Sequence, residues 1–110
     1  MSTEPRREHA RLELTFDVIV HHSDRELEAT CLNISQGGMF LEMPEPLAMD
    51  EQVSIVFRLP DIAQPITAKA RVAWSEREKR KGVGIQFLGL RAIEIWAINQ
   101  LFRRRSKGEI

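Results

Sequence analysis

The sequence predicts a small, mainly β domain with one C-terminal helix, arranged as an antiparallel sandwich or barrel. Three observations carry this. Six short segments alternate apolar and polar residues with period two, the signature of half-buried strands. Turn-forming residues or short loops separate them, which favours antiparallel neighbours. From about Leu90 the apolar period lengthens to that of a helix.

Leu12, Leu14, Phe16, Val18 and Val20 alternate with Glu13, Thr15, Asp17 and Ile19, giving the first strand. His22-Ser23-Asp24-Arg25 reads as a turn. The second strand runs from about Glu26 to Ile34, with Leu27, Ala29 and Cys31 on one face and Leu32 and Ile34 on the other. A bulge near Thr30 would reconcile the two halves. The Leu32/Ile34 half is taken as inward, which turns Asn33 and Ser35 outward. After Gln36-Gly37-Gly38 comes a short strand, Met39 to Met43, which Pro44 and Pro46 terminate. Val53, Ile55, Phe57 and Leu59 mark the fourth strand. Ile66, Ala68, Ala70, Val72 and Trp74 mark the fifth, with Trp74 expected in the core or at its rim. The charged run Glu76 to Lys81 reads as a solvated hairpin leading to Val83–Phe87. Leu90, Ile93, Ala97 and Leu101, with Ile98 and Phe102 alongside, define an amphipathic helix to about Arg105. Its basic residues fall in the last turn, where the helix dipole favours them.

With 110 residues, 43% hydrophobic and 29% charged, the chain suits one folded domain. It divides into a polar arm at 1–11, read as mobile, a body at 12–105 and a tail at 106–110. No apolar run is long enough to span a bilayer, and the N-terminus lacks a signal peptide's apolar stretch. A cytoplasmic location is therefore expected. Cys31 is the single cysteine, which excludes an internal disulfide and a thiolate metal cluster. Net charge is zero. Both ends are basic, through Arg6, Arg7 and Arg11 and through Arg103, Arg104, Arg105 and Lys107, so the body is acidic. That distribution suits capture of a small anion better than general nucleic-acid binding.

Two motifs carry chemistry. Arg7-Glu8-His9-Ala10-Arg11 has the form R-x-x-x-R, and Asn33-Ile34-Ser35-Gln36-Gly37-Gly38 has the form N-x-S-x-x-G. Each alone has a plain structural reading, a solvated basic arm and a polar turn that caps its own backbone. In this order, at strand edges, they suggest a pocket for a purine bearing phosphates. Arginine forks grip phosphate oxygens or the O6/N7 edge of guanine. An Asn and a Ser two apart on a strand face the same way. Glycine lets backbone approach a ligand closely. No nucleophile–base pair, carboxylate cluster or metal-ligand set stands out. His21 and His22 are adjacent on a strand and face opposite ways, and neither catalytic residues nor a cofactor are expected.

With Gly82-Val83-Gly84-Ile85-Gln86-Phe87 as a third match, the chain resembles the PilZ domain, a bacterial receptor module for cyclic di-GMP, from about Arg6 to Arg105. The resemblance implies a six-stranded antiparallel β-barrel with a C-terminal α-helix. It implies that Arg7 and Arg11 clamp phosphates and the guanine Hoogsteen edge, that Asn33 and Ser35 hydrogen-bond the ligand from the outer face, and that Gly38 keeps the turn tight and leaves room for the base. Arg6 beside Arg7 implies capture of two intercalated ligand molecules. The expected protein is a non-enzymatic receptor whose arm orders on ligand and signals to a separate, unidentified protein effector, since 110 residues leave no room for an output domain. Motility, pilus or exopolysaccharide control is the expected setting, with no nucleic acid, no membrane insertion and a monomer or homodimer. The alternative is a nucleotide-independent protein-interaction adaptor of the same fold.

Overall fold

The computed structural model describes residues 11–59 and 62–106. Strands β1 (Leu12–His22) and β2 (Arg25–Ile34) form a hairpin across Ser23–Asp24. Ser23 has φ 55°, the left-handed backbone that a two-residue hairpin turn requires. Strands β3 (Gly38–Glu42), β4 (Gln52–Phe57), β5 (Ile66–Glu76) and β6 (Gly82–Phe87) follow, then helix α1 (Ala92–Ser106). The order around the closed barrel is β1-β2-β3-β6-β5-β4, and β4 returns to pair with β1. Every pairing is antiparallel. Each described strand is thus paired on both sides. The sandwich-or-barrel alternative thus resolves as the barrel.

Alternation decides the interior. Val18 and Val20 of β1, Ile55 and Phe57 of β4, Ala68, Ala70 and Val72 of β5, and Val83 and Ile85 of β6 are all buried in one cluster. Ala97, Ile98 and Leu101 of α1 are fully buried in that same cluster. The helix therefore packs onto the barrel core with a narrow apolar stripe.

Three expectations change. The β2 bulge lies at Leu32, between Cys31 and Asn33 where β2 meets β3, not near Thr30. Because of it, Ala29, Cys31 and Ile34 all face inward, while Leu32 is only half-buried. A second irregularity lies between Glu13 and Phe16 of β1. On α1, Ile93 is 50% exposed and Glu94 takes the inward position at 1%. The reason is local chemistry at the helix start. Glu94, in the first turn, accepts the Arg91 backbone N–H at 2.8 Å and the Arg91 guanidinium at 2.8 and 3.0 Å. This is the reciprocal half of a capping box, and it fixes which face of the helix turns inward. The Glu94 carboxylate also raises the Arg91 pKa further above its already high value. Glu94→Ala should lower unfolding stability by about 1–2 kcal/mol, and Glu94→Gln, which keeps an acceptor for the backbone N–H, should recover most of it in urea melts.

Cys31 is fully buried, and burial pushes its thiol up to about 12, against a smaller opposing effect of its hydrogen bond to Asn33. The folded state therefore favours the neutral thiol. Its contribution is complete below the unfolded thiol's ordinary value of 9.0 and is lost as pH rises from there toward about 12. In that window the wild type should lose stability more steeply than Cys31→Ala, by up to about 1.4 kcal/mol per pH unit. Urea melts of the two proteins across alkaline pH test this.

Candidate functional site

The turn after β2 is built by Ser35. Its hydroxyl accepts the N–H groups of Gly37 and Gly38 at 3.1 and 3.2 Å and donates to the Gly38 carbonyl at 3.4 Å. The Ser35 N–H closes the turn onto the same carbonyl at 2.8 Å. The Gly37 carbonyl accepts from Phe87 N–H, and the Gln36 amide donates to the Asn99 side chain on α1. The turn is thus fastened to β6 and to the helix. Gly38 pairs with Gln86 of β6 so closely that a Cβ would collide with the Ile85 carbonyl.

These contacts correct two expectations. Ser35 does not share an outer face with Asn33. The Leu32 bulge and the turn bring it inside at 3% exposure, where its hydroxyl serves backbone donors. The room at Gly38 is occupied by β6 backbone and not kept open for a base.

Asn33 stays on the outer face, and its side-chain oxygen accepts from the Arg11 guanidinium at 2.8 Å. This bond joins the last residue of the first motif to the first residue of the second. Cys31 Sγ donates to the Asn33 carbonyl at 3.2 Å, inside the bulge. Arg6 and Arg7 lie outside the described residues.

From Asn33 a continuous row crosses the barrel wall. Glu13 of β1 faces Asn33 of β2, Asn33 faces Phe40 of β3, Phe40 faces Gly84 of β6, and Gly84 faces Trp74 of β5. The two aromatic rings lean together over the glycine, with centroids 5.2 Å apart and planes 18° from parallel. A Cβ at Gly84 would enter the Trp74 indole, and one at Gly82 would collide with the Leu41 carbonyl and lie 2.6 Å from the Phe40 ring. The two glycines of Gly82-Val83-Gly84 are therefore seats for the aromatics. Arg80, from the β5–β6 hairpin, lies over the Phe40 ring with its guanidinium carbon 5.8 Å from the centroid, a cation–π distance.

Trp74 reaches this wall because the ladder slips between Val72 and Trp74. The slip reverses the alternation, and the indole emerges at 42% exposure instead of entering the core or its rim. The charged hairpin is solvated as expected, yet Arg80 is directed onto Phe40.

The result is a cleft of about 500 Å³ lined by Arg11, Glu13, Asn33, Phe40, Trp74, Glu76 and Arg80. It offers cations at two places and stacked aromatic rings between strands, which suits a planar, anionic ligand. A larger cleft of about 720 Å³ lies beside it, bounded by Asp17, Glu28 and Glu42 as well as Lys79, Arg80 and Lys81. It contains no motif residue, so size does not decide between the two. Among the described residues no group of His, Cys, Asp and Glu side chains is arranged to hold a metal, and no helix is long and apolar enough to cross a membrane.

The motifs expose Arg11 and Asn33 but not Phe40, Trp74, Glu76 or Arg80. The alternate glycines at 82 and 84 are a signal for Phe40, since two vacancies on one strand face call for large neighbours. No pattern in the sequence announces the Trp74 slip.

By architecture the protein is a closed six-stranded antiparallel barrel with one helix, with Arg11 and Asn33 of the two motifs joined on the outer wall. The family model described as PilZ domain matches residues 5–104, and the chain belongs to that family. The fold is similar to Bacillus subtilis MotI/DgrA, an inhibitor of motility, with TM-score 0.75 and 21% identity over 96% of this chain and 54% of that one. It is also similar to Escherichia coli YcgR in complex with c-di-GMP, with TM-score 0.70 and 15% identity over 94% of this chain and 47% of that one. The PilZ domain of CeSA from a cellulose-synthesizing bacterium matches with TM-score 0.62 and 18% identity over 84% of this chain and 93% of that one. This chain thus spans about half the length of MotI/DgrA and of YcgR. No curated protein gives a significant match.

Proposed function

We propose that the protein is a bacterial receptor for cyclic di-GMP that binds in the 500 Å³ cleft and signals without catalysing a reaction. The observation that carries this reading is the Arg11–Asn33 hydrogen bond, which unites the two motifs at one end of an aromatic-lined cleft. Family membership and the ligand in the YcgR structure support it. Arg7 and Arg11 grip phosphates or a guanine edge, Asn33 hydrogen-bonds the ligand, and Ser35 and Gly38 act by holding the turn that carries Asn33. Arg6 adds a third guanidinium, which compensates further for the four phosphate charges of an intercalated ligand dimer. Ligand binding fixes the segment before β1 against the barrel wall, an ordering switch. The surface so formed is read by a separate effector protein in the cytoplasm, in motility, pilus or exopolysaccharide control. No further cofactor enters the scheme.

Two measurements follow. Trp74 lines the cleft, whereas Trp96 lies on α1. Cyclic di-GMP should therefore change the emission of Trp96→Phe saturably and leave Trp74→Phe unchanged; a response carried by Trp96 alone contradicts this placement. Hydrogen exchange at residues 4–11 should slow when ligand is added, and unaltered exchange removes the switch.

The nucleotide-independent adaptor remains the competing function. Ile93 and Trp96, 50% and 46% exposed on α1, give it an apolar face for a protein partner. Effector capture equally strong with and without cyclic di-GMP, and insensitive to Arg11→Ala, would establish the adaptor instead.

A further inference from the structure

The geometry points to Glu76 as the base-discriminating residue of the cleft: its carboxylate accepts the N1–H and N2–H donors of guanine and thereby rejects adenine. This inference rests on the cyclic di-GMP reading and adds to it the group that reads the base.

Glu76 lines the cleft and is half-buried, and among the described residues no side-chain hydrogen bond or ion pair engages its carboxylate. A carboxylate in a cleft for a phosphate diester is electrostatically adverse unless the ligand brings donors to it. Phosphates bring only acceptors, and each ribose brings a single donor, its 2′-hydroxyl. Guanine brings two adjacent N–H donors on its Watson–Crick edge, which the two oxygens of one carboxylate accept side by side, as they accept an arginine fork. Adenine places an unprotonated ring nitrogen there, so lone pair would face lone pair.

Position supports the assignment. Glu76 follows Trp74 by two residues on β5, and both line the same cleft. Same-face side chains along a strand stand about 7 Å apart. A purine stacked on the Phe40–Trp74 pair can therefore turn its edge toward Glu76. Glu76 pairs with Gly82, over which the Phe40 ring sits, so the carboxylate and the aromatic pair border the same cleft. Glu13, the other carboxylate of the wall, lies beyond Asn33 at the opposite end of the row, two residues after Arg11. The arginines serve phosphates and Hoogsteen edges, and Glu76 serves the remaining edge.

The test compares three ligands, cyclic di-GMP, cyclic di-IMP (which lacks the 2-amino group) and cyclic di-AMP, against wild type, Glu76→Ala and Glu76→Gln. Wild type should prefer cyclic di-GMP to cyclic di-IMP by about tenfold, the effect of one charge-assisted hydrogen bond. In Glu76→Ala that ratio should fall toward one, with cyclic di-AMP binding no weaker than in wild type. Glu76→Gln keeps the shape and one acceptor oxygen, and should give an intermediate ratio; it supplies the answer if the alanine protein folds poorly in a thermal melt. A guanine-to-inosine ratio unchanged in both variants, or a uniform tightening of all three ligands that marks Glu76 as a mere repulsive charge, overturns the inference and leaves the receptor standing. Failure of wild type to bind any of the three overturns the receptor reading, and this inference with it.

Discussion

Arg11→Ala should lower affinity for cyclic di-GMP at least about tenfold, and Arg7→Ala should do the same. Each removes a charge-assisted hydrogen-bonding group, worth roughly 1.5–3 kcal/mol, and about 1.4 kcal/mol is tenfold. Arg11 carries a second effect. Its guanidinium holds the Asn33 side-chain oxygen at 2.8 Å, so its loss also frees the amide that presents to the ligand. Arg11→Lys should rescue only part of the affinity, because an ammonium supplies charge without the planar fork. The double variant Arg7→Ala/Arg11→Ala should lose about a hundredfold or more if the two act independently. Titration calorimetry checks each value, and a unit change in affinity below twofold for Arg11→Ala contradicts the assignment.

Gly38→Ala has the largest expected effect on stability among the motif residues. The added methyl meets the Ile85 carbonyl of the neighbouring strand, and backbone in a paired barrel cannot turn aside as a side chain can. The β3–β6 pairing must open at Gly38–Gln86, or the turn must shift. Overpacking costs about 1–3 kcal/mol, and here the upper end applies because a ladder is disturbed as well. Gly84→Ala is the informative contrast. Its methyl meets the Trp74 side chain, which is exposed enough to swing away. Gly84→Ala should therefore cost less stability than Gly38→Ala but more ligand affinity than its stability loss explains, since it displaces one half of the aromatic pair. Urea unfolding paired with ligand titration separates the two outcomes; equal stability losses would show that the indole is as confined as the backbone.

What the sequence revealed follows from where periodicity holds. In β4 and most of β5 the apolar residues alternate without interruption, so their inward faces at Ile55, Phe57, Ala68 and Ala70 are legible from spacing alone. Alternation fails at ladder slips, and the functional wall is made there. The bulge at Leu32 and the slip before Trp74 each reverse which residues face outward. A slip is a property of two paired strands, so neither strand's own pattern discloses it. Ser35 illustrates a different limit. Its residue type fits both a ligand contact and a turn cap, and only its burial and its bonds to Gly37 and Gly38 distinguish the two. In the proposed receptor the motif takes an altered form, with Asn33 as the presenting group and Ser35 and Gly38 holding the turn behind it. On α1, Glu94 was hidden because a buried carboxylate breaks the apolar stripe that marks a helix face, and its place is explained by the Arg91 N–H it caps.

The most direct test of the central claim is calorimetric titration of the wild-type protein with cyclic di-GMP at micromolar concentration, repeated with Arg11→Ala. A cyclic di-GMP receptor of this design gives saturable heat, with a stoichiometry of two ligands per chain if Arg6 supports the intercalated dimer, and the signal weakens at least about tenfold in Arg11→Ala. Absence of heat, or an isotherm that Arg11→Ala leaves unchanged, contradicts it.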